Sequence, residues 1–203
     1  AQLLGGARLA GADCRKASLE AARCAESVWE GAQLEGAQLS GADFRGANLE
    51  RCTLRGADLR STVLSGARLV QASLEEAVLE SANLTGAILT DANLEAAQAS
   101  RANFEKVSAR QLHAPRAMLE TCRLLGADLQ GAVLGRACLD SAELGGACLK
   151  KTMLDTVSLV GAQARRVDLS EASLRAAVLR GADLESANMS GANLQEACLV
   201  EAQ

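Results

Sequence analysis

The stretch from Ala82 to Leu94 reads Ala-Asn-Leu-Thr-Gly, Ala-Ile-Leu-Thr-Asp, Ala-Asn-Leu, and its period of five limits the fold more than any other feature. A small residue, a variable one, a leucine and two turn-forming residues recur. The leucine position is called the centre of each unit. Five suits neither regular element. On a helix, five residues turn the side chain by roughly 500°, so successive centres scatter around the axis. On a straight strand five is odd, and successive centres alternate faces. All centres reach one interior only if the chain corners once per unit. Three residues are then extended: the small residue and the centre point in, and the residue between them points out. The last two residues make the corner.

Glycine supports this division. All 18 glycines fall in the two corner positions and none in the three extended ones. Tight corners often need positive φ, which glycine adopts without a steric penalty.

Ala42-Asp43-Phe44-Arg45-Gly46, Ala57-Asp58-Leu59-Arg60, Ala182-Asp183-Leu184-Glu185-Ser186 and Ala192-Asn193-Leu194 follow the rule Ala-(Asp/Asn)-Leu-x-x. This pattern resembles the pentapeptide repeat family, and the resemblance covers essentially all 203 residues. It implies an all-β fold, a right-handed quadrilateral parallel β-helix with four units to a coil. The handedness and the count of four come from the resemblance. On that count the chain forms a single domain, 1–203, of about ten coils, a rod on the order of 50 Å long at roughly 4.8 Å per stacked coil.

Composition agrees with a narrow interior. There is no Tyr, one Trp and two Phe, so Leu and Ala must fill the core, each coil burying its apolar surface against its neighbours. No apolar run is long enough to span a membrane, and no signal peptide is visible. The chain starts and stops inside the repeat, at Ala1 and Gln203, as a domain cut from a longer protein would. Uncapped ends would also offer a route to dimerisation.

The seven cysteines divide by position. Cys14 and Cys24 are at centres, Cys52 and Cys122 at the inward small site, and Cys138, Cys148 and Cys198 at the outward site. No two are twenty apart and there is no Cys-x-x-Cys. The first four read as small buried hydrophobes, and free thiols in this number suit a reducing compartment.

Three regions depart from the average. Near the start, Trp29 occupies a centre. It is too large to repeat in a stacked column, so it is expected to cap or distort an early coil; the other reading is an aromatic partner-binding residue. From Leu34 to Leu94 every centre is Leu or Phe, which predicts the most rigid part. Around 98–117 the coil is irregular. Centres Ala99, Ala109 and Ala114 are small, while Val107 and Leu112 occupy sites that are usually Ala. Pro115 is expected to remove a ladder donor. Two readings stay open: a repacked, bulged coil, or a short loop over Arg110, Gln111, Leu112, His113, Pro115 and Arg116 that a partner grips. His113 is the only histidine and has no carboxylate near it in sequence, which argues against catalysis.

No catalytic constellation is present: no phosphate-binding glycine loop, no Tyr, no carboxylates gathered in a pocket. The expectation is a non-enzyme with no cofactor, no metal, no small-molecule substrate and no direct nucleic-acid binding. Some pentapeptide repeat proteins resemble B-form DNA in shape and charge, bind DNA gyrase and protect it from quinolones. That alternative needs a continuous acidic surface. Outward and corner residues, assigned to four faces in turn, sum to 0, 0, −1 and −3, the last for the face holding Leu19 and Leu39. Most coils pair opposite signs, as in Asp43/Arg45, Glu50/Arg51, Asp58/Arg60 and Glu105/Lys106. DNA carries one charge per roughly 1.7 Å of axis, far more. The chain also ends in repeat at Ala197–Glu201, where gyrase-binding members carry a dimerising helical module.

The favoured expectation is a rigid spacer or scaffold that binds a protein partner. The resemblance implies a bacterial protein, in the cytoplasm or delivered from it, and allows fusion to a secretion-system accessory or effector protein. The fourth face is the candidate surface. Its outward column holds Val78, Met118, Cys138, Val178 and Cys198, with Val160 and Val200 at corners. Exposed apolar residues can mark a contact, although β-branched residues also simply favour strands.

Overall fold

The computed structural model describes residues 5–203; the chain start at Ala1 lies outside them. Parallel bridges join each outward residue to the one twenty positions later, without interruption from Arg8↔Val28 to Val178↔Cys198. One turn of the solenoid therefore takes twenty residues and has four sides, each side one five-residue unit. The bonds repeat too. Val63 N–H donates to the Ala42 carbonyl one coil earlier (3.0 Å), and Leu64 N–H to the Asn83 carbonyl one coil later (2.7 Å). Each side contributes a single bridging residue, so the sheets are shorter than the three-residue strands the sequence suggests. The second corner N–H also bonds the next coil, as Gly66 N–H does to the Thr85 carbonyl (3.0 Å).

Those corners explain the motif. The N–H of each small residue donates back to the preceding centre, as Ala67 does to Leu64 (3.0 Å), closing a four-residue turn. The second corner residue has positive φ throughout, from Gly6 to Glu201, which is the type II arrangement. Glycine fills only fifteen of these places; twenty-five hold other residues. Ala96, at φ 54°, is one of them. Replacing it with glycine is expected to stabilise the rod by about 0.5–1 kcal/mol, because relief of the left-handed penalty exceeds the loss of chain entropy. A fall in the urea midpoint would show that the corner is unstrained.

The first corner N–H has no backbone acceptor at any described unit. Where the outward residue is Asp or Asn, its side chain supplies one, as Asn83 Oδ1 does for Thr85 N–H (3.1 Å) and Asn103 Oδ1 for Glu105 N–H (2.9 Å). The Asp/Asn preference of the repeat is thus an Asx turn that caps the corner. Pro115 sits at this same slot. It removes no ladder bond, contrary to the sequence expectation, and its carbonyl still accepts from Ala96 N–H (3.0 Å). Proline is also favoured at the second position of such a turn.

The interior is Leu and Ala, almost all fully buried. Trp29 is buried as well, within an unbroken coil, so it neither caps nor distorts the rod. Its ring meets Phe44 edge-on, with centroids 5.8 Å apart. Its indole Nε1–H donates to Ser27 Oγ (2.6 Å), and Ser27 Oγ–H donates to the Cys24 carbonyl. Cys52 and Cys122 also face inward, each donating to a backbone carbonyl at 2.9 Å, of Trp29 and Ala99 respectively. Burial pushes both thiols up to about 12.

The segment 98–117 keeps the twenty-residue register, with Gln98↔Met118 and His113↔Val133 in place. It is neither looped nor bulged. The interior is repacked instead: Val107 and Leu112 are buried where Ala usually stands. An apolar cavity of about 20 Å³ remains beside Phe104, Ala109 and Ala114. Its purely apolar lining favours an empty rather than a hydrated void.

Candidate protein-contact face

Val78, Met118, Cys138, Val178 and Cys198 lie on one ladder, with Gln98 between the first two and Ser158 between Cys138 and Val178. The column points outward because its neighbours point in: Ala117 and Leu119 on either side of Met118 are buried. Met118 is 45% exposed and Val178 38%. Cys198 is exposed, while Val78 and Cys138 are half-buried. The two polar interruptions divide the apolar surface into short stretches.

The residues two before and two after each outward residue stand at the corners that bound its side of the coil. Arg116 and Glu120 flank Met118, and Arg136 and Asp140 flank Cys138. Glu120 accepts from Ser100 Oγ–H (2.7 Å). Asp140 accepts from Ser158 Oγ–H (2.5 Å) and Val160 N–H (2.9 Å). Arg116 pairs with Glu95 on the preceding coil. Arg136 has no carboxylate within 4.0 Å among the described residues. Partial burial pushes the Cys138 thiol up to about 11, which leaves little nucleophilic thiolate at neutral pH.

The six residues read as a gripping loop do not converge. Arg110 reaches Asp128 (2.6 Å) at one corner, and the Gln111 amide lies over Gly131. Leu112 is in the core. His113 is exposed on the adjacent face, bridging Asn93 and Val133. Pro115 and Arg116 form the corner between that face and the Met118 face. His113 does have a carboxylate neighbour after all: Nε2 is 3.9 Å from Glu95 Oε2. The eighteen-residue offset hides this pair in the sequence. The most exposed methionine, Met153 at 53%, was also missed, since it lies beside Val133 on the adjacent face.

Charges are largely neutralised locally. Arg45 and Arg60 hydrogen-bond the carboxylates of Asp43 and Asp58 and hold both below the ordinary carboxylate range. Arg165 does the same for Asp183. Glu50 and Arg51 do not pair with each other as expected. Glu50 is taken by Arg68, and Arg51 approaches Glu30 (3.5 Å). No helix is long and apolar enough to cross a membrane, and no group of three or more His, Cys, Asp or Glu could hold a metal ion among the described residues.

Residues 27–104 match the model of the pentapeptide repeat region, and residues 119–155 and 168–202 match that of pentapeptide repeats (8 copies). Among solved structures, the chain is similar to HetL, a pentapeptide repeat protein involved in heterocyst differentiation regulation from the cyanobacterium Nostoc sp. strain PCC 7120. Identity is 34% over 96% of this chain and 84% of HetL, with a TM-score of 0.50. A pentapeptide repeat protein of the Arabidopsis thaliana thylakoid lumen is 31% identical over 45% of this chain and 67% of its own, with a TM-score of 0.39. Full-length QnrB1, a plasmid-mediated fluoroquinolone resistance protein, is 17% identical over 98% of this chain and 92% of its own, with a TM-score of 0.44. No curated protein gives a significant match.

Proposed function

The chain belongs to the pentapeptide repeat family, and from that premise we propose that it is a non-catalytic protein-interaction scaffold, a right-handed rod of about ten coils that presents the Met118–Val178 face to a protein partner. The observation that carries this reading is the exposure of Met118 and Val178 on a regular ladder that also holds the exposed Cys198 and the half-buried Val78 and Cys138. A rigid scaffold gives up little conformational entropy on binding, so a modest apolar contact suffices. Seven free thiols support a reducing compartment such as a bacterial cytoplasm. Attachment to a secretion-system accessory or effector protein fits a rod used as a spacer. A DNA-like surface is less well supported, because arginines take up many of the carboxylates.

The test compares proteins retained from a host lysate by the wild-type chain, by Met118→Glu plus Val178→Glu, and by Ile88→Glu on another face as control. The double variant should lose a protein that the other two retain, with its thermal unfolding unchanged. If all three retain the same set and the double variant self-associates as the wild type does, this face is not the contact surface.

A further inference from the structure

We propose that the occupant of this face is a second copy of the chain, packed side by side with the two rods parallel. The proposal rests on reading the Met118 face as a contact surface and names what covers it. The face has one outward column and a corner column along each edge. On one coil they are Arg116, Met118 and Glu120; on the next, Arg136, Cys138 and Asp140. Both coils carry a cation on one edge, an apolar or weakly polar residue in the middle and a carboxylate on the other edge.

A two-fold axis along the rod places the cationic edge of one copy against the acidic edge of the other at the same level. Arg136 then meets Asp140 of the second copy twice, and Arg116 meets Glu120 twice, while Met118 packs on its own mate. A two-fold axis across the rod sets arginine edge on arginine edge, so charge selects the parallel arrangement. The open groups fit this role. Arg136 has no carboxylate partner among the described residues, and Asp140 and Glu120 receive only hydroxyl and N–H donors. Arg116 is shared with Glu95 and contributes less. On the neighbouring coils the facing pairs are Ala96 with Ser100 and Thr156 with Val160, which are uncharged. Further along, Glu80 faces Glu76, whose charge is offset by Arg55 at 2.8 Å.

A face roughly 10 Å wide on a rod of about 50 Å buries about 500 Å² per copy. That total of about 1,000 Å² is at the lower limit of specific interfaces, so the dimer is weak and concentration-dependent.

Sedimentation of the full chain under reducing conditions tests this, using wild type, Arg136→Glu, Asp140→Lys and the double swap. Wild type should show a monomer–dimer equilibrium weakened by salt. Each single variant sets like charges face to face twice and should weaken association by more than about tenfold. The double swap restores opposite charges and should recover most of it, with far-UV circular dichroism confirming the fold throughout. A wild type that stays monomeric to about 1 mM overturns the proposal. So does a dimer indifferent to the single variants, or a double swap as weak as either single. If the chain is monomeric but the Met118/Val178 double variant still loses its retained protein, the contact face stands and only the second copy is wrong.

Discussion

Leu84→Ala is expected to cost about 3–5 kcal/mol of unfolding free energy, the upper part of the range for such truncations. Leu84 is fully buried and stacks in one column between Leu64 and Phe104. The truncation removes the transfer energy of its branched end and leaves a void. Whether the void closes decides the cost. Here the coils above and below are held at fixed spacing by ladder bonds, with Leu64 N–H on the Asn83 carbonyl and Leu84 N–H on the Asn103 carbonyl, both 2.7 Å. A side chain cannot sink along the axis without breaking bonds of this kind on all four sides. Urea unfolding gives the answer. A loss below about 1.5 kcal/mol would mean that the interior relaxes as a globular core does.

The same bonds show how far the sequence could be read. The corner, the two inward positions and the outward one follow from the period alone, and the Leu and Ala burial agrees with them residue by residue. The resemblance added the four-sided coil, and the twenty-residue bridges match it. What stayed hidden depends on contacts between coils. Pro115 looked disruptive because proline lacks an N–H. Only the bonding pattern shows that the first corner N–H is part of the ladder at none of the described units, and that Asp or Asn outward residues serve partly to satisfy it. The small centres Ala99, Ala109 and Ala114 suggested a bulge, yet Val107 and Leu112 restore much of the volume from the neighbouring inward site and the register survives.

The candidate face was legible as a column because its residues share a twenty-residue spacing. Its electrostatics were not. Beside the pairs two residues apart that the sequence does show, Asp43/Arg45 and Asp58/Arg60, many ion partners lie eighteen, twenty or twenty-one residues apart: Arg68 with Glu50, Arg123 with Glu143, Arg116 with Glu95. Nearest-neighbour pairing in the sequence therefore assigned Glu50 to the wrong arginine and left His113 without its carboxylate neighbour. The single-face view also passed over Met153. Its face and the Met118 face meet at the Pro115–Arg116 corner, so apolar side chains stand on both sides of one edge.

Trp29 carries the other large effect. Trp29→Ala should cost at least about 3–5 kcal/mol, since it removes the largest buried side chain and its edge-on contact with Phe44. The more informative change is Ser27→Ala. Alanine is the residue this inward site usually holds, so packing alone predicts little loss. But Ser27 Oγ is the acceptor for the buried indole N–H, and its removal leaves that donor unsatisfied at about 1–3 kcal/mol. The Cys24 carbonyl keeps a partner in Ser27 N–H (3.2 Å), so the cost falls on the indole alone. In a Trp29→Phe background there is no indole N–H, and Ser27→Ala should then be close to neutral. The double-mutant cycle by chemical denaturation should give a coupling of about 1 kcal/mol or more. Equal costs in both backgrounds would mean that the serine serves only its own turn. Coupling as expected would show how a narrow Leu/Ala solenoid admits a tryptophan: by placing a hydroxyl where the repeat rule asks for a methyl.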